Sequence, residues 1–203
     1  MNPRRMAARE AARLLYLGLA EEFKQAKEMA ALSLGECVLP SNYEIALELE
    51  QIADEAEGIG RRRLIVRLRE EALRVMRILE GFNPRLIGSV WRGTARRGSD
   101  IDIVAFAQEP DEVEGRLREA GLAFYREEVV TQKDGRLITS RHIRFRIDGG
   151  EEVEIVVRPP DESDLHERCD IYGDPKRGLS AEELEEVLRR DPLKVFIPKR
   201  RRD

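Results

Sequence analysis

Two aspartates one residue apart, Asp100 and Asp102, open the apolar run Ser99-Asp-Ile-Asp-Ile-Val-Ala-Phe106. In a β-strand, residues i and i+2 share a face, so both carboxylates point the same way while Ile101 and Ile103 turn to the core. Carboxylates held side by side repel each other, and a divalent cation relieves that repulsion. Mg²⁺ (or Mn²⁺) suits such hard oxygen ligands. Upstream, Leu86-Ile87 runs into Gly88-Ser89. Gly88 permits a sharp turn, and Ser89 with the amides that follow offers donors to phosphate oxygens, above all if residues 90–94 open a helix. Arg92 is expected to grip phosphate bidentately. A third acid, Glu154, sits in Val153-Glu-Ile155, the same apolar–acid–apolar setting, on a strand expected beside that of Asp100. Glu152, two residues earlier on the same face, and Asp148, in a hairpin turn, are the alternatives for the third acid. Acids, a cation and a phosphate-holding turn would together form one coherent site.

The elements that must position these groups fall into four stretches. Leu14, Leu15, Leu19, Phe23, Ala26, Met29 and Ala30 recur at three- and four-residue intervals and predict an amphipathic helix. Ser41-Asn-Tyr-Glu44 is a capping-box pattern that opens a second helix, ending at Gly58. A helical hairpin is therefore expected over residues 1–60. A third helix is predicted from about residue 62 to 80, with Gly81 beyond its end. The run Arg61-Arg-Arg63 reads as its solvated start, although those charges oppose the helix dipole.

The period then changes to that of strands. Residues 84–89 read as a short strand entering a turn, and residues 100–107 as a central strand. A helix is predicted over 111–120, and strands over 123–131, 138–147 and 153–157, with Asp148-Gly-Gly150 as a hairpin turn. Ser180-Ala-Glu-Glu183 is another capping box, opening a helix to about residue 190. The chain closes on the basic tail Lys199-Arg-Arg-Arg202. The resulting class is α+β, a small mixed or antiparallel sheet with helices on one side plus an N-terminal helical hairpin. The expected division is a helical region at 1–60, a core at 61–160 and an extension at 161–203.

Composition narrows the function classes. Charged residues make up 37% of the 203 and the formal net charge is −4, which argues against a globally basic nucleic-acid coat. Arginine far outnumbers lysine and amides are scarce, a balance similar to that of thermophile proteins. Cys37 and Cys169 are too few for a zinc set and suggest no disulfide framework. No apolar stretch approaches the length of a membrane span and no signal-peptide core is present, so a soluble, cytoplasmic protein without membrane contact is expected.

The string Gly-Ser-Val-Trp-Arg-Gly-Thr-Ala-Arg-Arg-Gly-Ser-Asp-Ile-Asp-Ile, residues 88–103, resembles the signature of the polymerase-β-like nucleotidyltransferase superfamily. It looks most like small stand-alone archaeal members with a helical N-terminus, and the resemblance covers about residues 61–160. It implies an enzyme that moves a nucleoside monophosphate from an NTP to an acceptor hydroxyl and releases pyrophosphate. Asp100 and Asp102 match the two metal-binding acids, and Glu154 is the best match for the third, with a further role as general base. Gly88 and Ser89 match the triphosphate-contacting turn, and Arg92 and Ser99 extend the match as nucleotide-binding positions. The acceptor is open among RNA, protein and small molecule, and the N-terminal helices are expected to meet the acceptor or a partner protein.

Other residues carry plainer readings. Trp91 is expected to pack rather than stack on a base, Arg96-Arg97 to lie in a solvated loop, and His142 to be a partly exposed structural residue. His166 has no ligand set around it, so no metal is assigned there. Competing functions are a regulatory, antitoxin-like partner of another chain and an RNA-binding protein that uses the hairpin and basic tail.

Overall fold

The computed structural model describes residues 2–35, 39–133, 136–163 and 168–198, with the side chains of 131–139 left aside. The described residues fall into two compact units. One draws on 2–35, 39–61, 168–175 and 198, the other on 62–133, 136–163 and 176–197.

The first unit is helical. Asn2 caps α1 (Pro3–Tyr16) by accepting the Arg4 amide at 3.0 Å, and Pro3 lies at the first turn, where its missing N–H costs nothing. The chain breaks at Gly18, and α2 (Phe23–Leu34) follows. The single amphipathic helix expected through Leu14–Ala30 is thus two helices, because the apolar spacing runs on through a break. Ser41 and Glu44 form the expected capping box at the start of α3 (Asn42–Ile78). Gly58 ends the first of two helices that α3 joins across a kink, as expected of it: it adopts φ 53°, ψ −127°, a non-helical conformation nearly confined to glycine, and a second helix follows. The core of this unit joins Ala8, Ala11, Leu15, Ala26, Ala30, Ile45 and Leu49. Arg61 is not a solvated helix start: it is 2% exposed and paired with Glu50 at 2.6 Å and Asp54 at 2.5 Å. Those acids satisfy a charge that burial alone would penalise.

The second unit is a five-stranded sheet with helices. Its strands are β1 (Arg85–Ile87), β2 (Ile101–Phe106), β3 (Tyr125–Lys133), β4 (Arg136–Arg146) and β5 (Glu152–Arg158), in the order β1-β2-β5-β4-β3. Only β2 and β5 run parallel; the other pairs are antiparallel. Alternation gives the sheet two characters. Ile101, Ile103, Ala105, Ile143, Phe145, Val153, Ile155 and Val157 turn to one side and join a single core with Leu68, Ala72, Met76 and Leu79 of α3. Val113 and Leu117 of α5 (Pro110–Glu119) and Leu184 and Val187 of α6 (Ala181–Arg190) complete that core. The capping box predicted at Ser180 and Glu183 opens α6.

Between β1 and β2 lies the short helix α4 (Gly88–Arg92). It is anchored from beneath by Arg69, which is fully buried. The Arg69 guanidinium donates to the carbonyls of Val90 (3.1 Å), Trp91 (3.0 Å), Pro192 (2.7 Å) and Lys194 (2.8 Å). Burial lowers its pKa to about 10, which leaves it charged at neutral pH. Trp91, 6% exposed, packs in the core as expected. Cys37, His166 and the basic tail lie outside the described residues.

Removing the Arg69 side chain takes a donor from four carbonyls, two of them in buried hydrogen bonds. Arg69→Ala is expected to cost the second unit about 3 kcal/mol or more. Urea unfolding followed by fluorescence of Trp91, the single tryptophan, checks this; an unchanged midpoint contradicts it.

Candidate active site

The register of β2 and β5 sets Asp102 directly beside Glu154, and that of β4 and β5 sets Glu154 beside Arg144. On the other flank β1 places Ile87 opposite Asp102. A single row therefore crosses four strands: Ile87, Asp102, Glu154, Arg144. Asp102 and Glu154 lie on the face opposite the core, because their strand neighbours Ile101, Ile103, Val153 and Ile155 are the buried ones. Asp100 precedes β2 and Glu152 opens β5, two residues back along each strand. Four carboxylates thus share one end of one face.

The turn is shaped around one of them. Gly88 has φ 69°, and a Cβ there would sit 1.9 Å from the Asp102 Oδ2. Only a residue without a side chain lets the backbone close on that carboxyl. Ser89 follows in the first turn of α4, where its carbonyl accepts the Thr94 amide at 2.9 Å. Ser99 tightens the loop that carries Asp100: its Oγ accepts the Arg96 amide at 3.0 Å, and its own amide donates to the Arg96 carbonyl at 2.9 Å. A cleft of about 480 Å³ opens here, lined by Ser99, Asp100, Arg146, Gly149, Gly150 and Glu152. That is within the range of small-molecule sites.

Arg92 is not gathered to the acids. It is 4% exposed, its guanidinium lies over the Trp91 ring at 4.1 Å, and its Nη1 donates to the Phe196 carbonyl at 2.8 Å. The phosphate grip expected of it does not fit a side chain spent inside the unit. Asp148 lies in the turn between β4 and β5, off the ladder, whereas Glu152 and Glu154 stand on β5 itself.

Residues outside the sequence-based set complete the constellation. His142 Nδ1 is 2.8 Å from Glu154 Oε1, and its Nε2 is 3.0 Å from Ser140 Oγ. Arg144 donates to the same Oε1 from Nε at 2.9 Å and from Nη2 at 2.5 Å, and its Nη1 lies 3.8 Å from Glu152 Oε1. Tyr125 donates its hydroxyl to Glu152 Oε2 at 2.8 Å. His142 is therefore part of the site rather than a bystander. The available signal was the hairpin turn at residues 148–150: counting back from it along both strands pairs 144 with 154.

Electrostatics separates the acids. Burial, then the charges of Glu154 and Asp100, push Asp102 up to about 7, and Arg144 offsets this only in part. Lost solvation, then Glu152 and Glu154, raise Asp100 as well. Burial also works to raise Glu154, but hydrogen bonds from His142 and Arg144 outweigh it and hold that carboxyl below its usual range. Among the described residues, no three His, Cys, Asp or Glu side chains stand grouped around a metal position. The donor chemistry of Asp100 and Asp102 nevertheless fits a hard divalent cation: both are raised by neighbouring negative charge that such an ion would neutralise. Glu154 is committed to Arg144 and His142.

Residues 74–172 match the family profile of the nucleotidyltransferase domain, and that segment is a nucleotidyltransferase domain of the polymerase-β-like superfamily. Enzymes with such domains transfer a nucleoside monophosphate from an NTP, typically with divalent metals. No curated protein matches the chain. No helix among the described residues is long and apolar enough to cross a membrane.

The raised carboxyl has a consequence for stability. Folding favours the protonated Asp102, so its contribution is lost as pH climbs from the ordinary value near 3.8 to about 7. Asn cannot ionise. In metal-free buffer above pH 7, Asp102→Asn is expected to be more stable than the parent by about 2 kcal/mol, a gain that fades towards pH 4. Thermal melts across that range check it; a variant equally or less stable at pH 8 contradicts it.

Proposed function

We propose that the protein transfers a nucleoside monophosphate from an NTP to an acceptor hydroxyl and releases pyrophosphate, using Mg²⁺ or Mn²⁺. The observation that carries this reading is the alignment of Asp102 with Glu154 on the solvent-facing side of the sheet, with the Gly88 turn closed against the Asp102 carboxyl. Such a layout gathers phosphate-holding backbone and acids at one point, as in-line transfer requires.

In this reading Asp100 and Asp102 hold the divalent cation. A bound cation would supply charge neutralisation at the reacting phosphate and acidify the acceptor hydroxyl. Gly88 and Ser89 hold the triphosphate through the turn between β1 and α4. Ser99 sets the loop that aims Asp100. Glu154 is the third acid; it takes the proton of the acceptor hydroxyl as the oxygen attacks the α-phosphorus and the bond to pyrophosphate breaks. Its depressed pKa keeps it ionised near neutral pH but makes it a weak base, so the transfer relies on the hydroxyl being acidified. His142 orients the Glu154 carboxylate through Oε1. Arg92 supports α4 from within. The catalytic machinery lies in the stretch 61–160, and the helices of residues 1–60 meet the acceptor or a partner protein.

Incubating the protein with each α-labelled NTP, Mg²⁺, total RNA and a protein extract tests this. Label is expected to pass into one acceptor class, and Asp100→Ala/Asp102→Ala is expected to reduce transfer by at least about a hundredfold. Equal transfer by the double variant, or none by the parent, contradicts the reading.

A further inference from the structure

The acid row holds more negative charge than its surroundings offset, and one guanidinium stands among all four carboxylates. Arg144 reaches Glu154 at 2.5 Å and Glu152 at 3.8 Å, and its charge also acts on Asp100 and Asp102. Its neighbour Arg146 is occupied at the hairpin turn, donating to the Gly150 carbonyl at 2.9 Å. Arg92 is buried against Trp91 and Phe196. Arg144, in contrast, keeps 31% of its side-chain surface exposed.

We propose that Arg144 is a nucleotide-binding residue that exchanges partners, bridging Glu154 and Glu152 in the substrate-free protein and passing to the nucleotide phosphates when the carboxylates take up a cation. This rests on the nucleotidyltransferase reading. Three features make the exchange feasible. First, Arg144 and His142 both bond Oε1 of Glu154, so Glu154 keeps a partner when Arg144 leaves. Second, a divalent cation held by Asp100 and Asp102 places positive charge beside Glu154 and Glu152 and so weakens their hold on Arg144, while the incoming triphosphate brings new negative charge. Third, the row places the Cα atoms of Arg144 and Asp102 two strands apart, about 10 Å, and an extended arginine spans most of that. The planar fork of a guanidinium fits two phosphate oxygens as it fits a carboxylate.

Partner exchange predicts opposite effects on the two ligands. Calorimetric titration of Mn²⁺ alone, and of an α,β-methylene NTP analogue in Mg²⁺, is run on the full chain and on Arg144→Gln and Arg144→Lys. Arg144→Gln is expected to bind Mn²⁺ several-fold tighter, because a competing cation is gone, and the analogue at least about tenfold more weakly. Arg144→Lys keeps the charge but not the fork and is expected to fall between; it also serves if the glutamine variant melts early. Unchanged analogue affinity in both variants, or Mn²⁺ and analogue affinity falling together, overturns the exchange. A parent protein that binds no such analogue, whether its base is adenine, guanine, cytosine or uracil, overturns the nucleotidyltransferase reading itself, and the inference with it.

Discussion

Repulsion among Asp100, Asp102, Glu152 and Glu154 is the constraint around which the second unit is arranged. The strand ladder fixes where these side chains start, since Asp102 and Glu154 occupy paired positions on parallel strands. Their charges would favour separation. The protein meets the cost in two ways. Asp102 gives up part of its charge, its pKa pushed up to about 7, while Glu154 keeps its charge by bonding Arg144 and His142. The same end of the sheet thus holds one carboxyl that resists ionisation and one carboxylate that stays ionised. Burial above all raises the one, while bonds from His142 and Arg144 outweigh burial and hold the other down, although both are acids on adjacent strands.

Residues beyond the acid row keep it in place. Arg69 and Arg92 tie α4 to the segment 192–196 through backbone carbonyls, and Leu179 exchanges hydrogen bonds with Leu86 at 2.9 and 3.0 Å along the outer edge of β1. That contact covers a sheet edge that would otherwise be open to other chains. A buried arginine satisfied by carbonyls alone is a costly anchor. It holds the turn at Gly88 firmly enough for the backbone to lie against Asp102. The C-terminal residues outside the recognisable motif are in this sense part of the site's support.

Much of this was legible from local pattern. The i, i+2 spacing of Asp100 and Asp102 placed both acids on one face, the two capping boxes placed the starts of α3 and α6, and Gly88-Ser89 marked the turn. Local pattern misled where a longer-range fact decided. Apolar spacing ran on through Gly18, so two helices read as one, whereas the glycine at 58 was rightly read as a stop, since the backbone leaves the helical region there. Arg92 looked like a phosphate ligand because spacing says nothing about whether a side chain turns inward, and Phe196, more than a hundred residues on, is what turns it. His142 and Arg144 were missed as members of the site because their role appears only once β4 is laid beside β5.

The proposed chemistry depends on Asp100 and Asp102 forming a cation site joined to a phosphate turn at Gly88 and Ser89. Anomalous diffraction from crystals grown with Mn²⁺ and a non-hydrolysable NTP analogue tests it most directly. Manganese is expected between the two aspartates, with the triphosphate against the start of α4. Manganese bound elsewhere, or an analogue seated away from that turn, would contradict it.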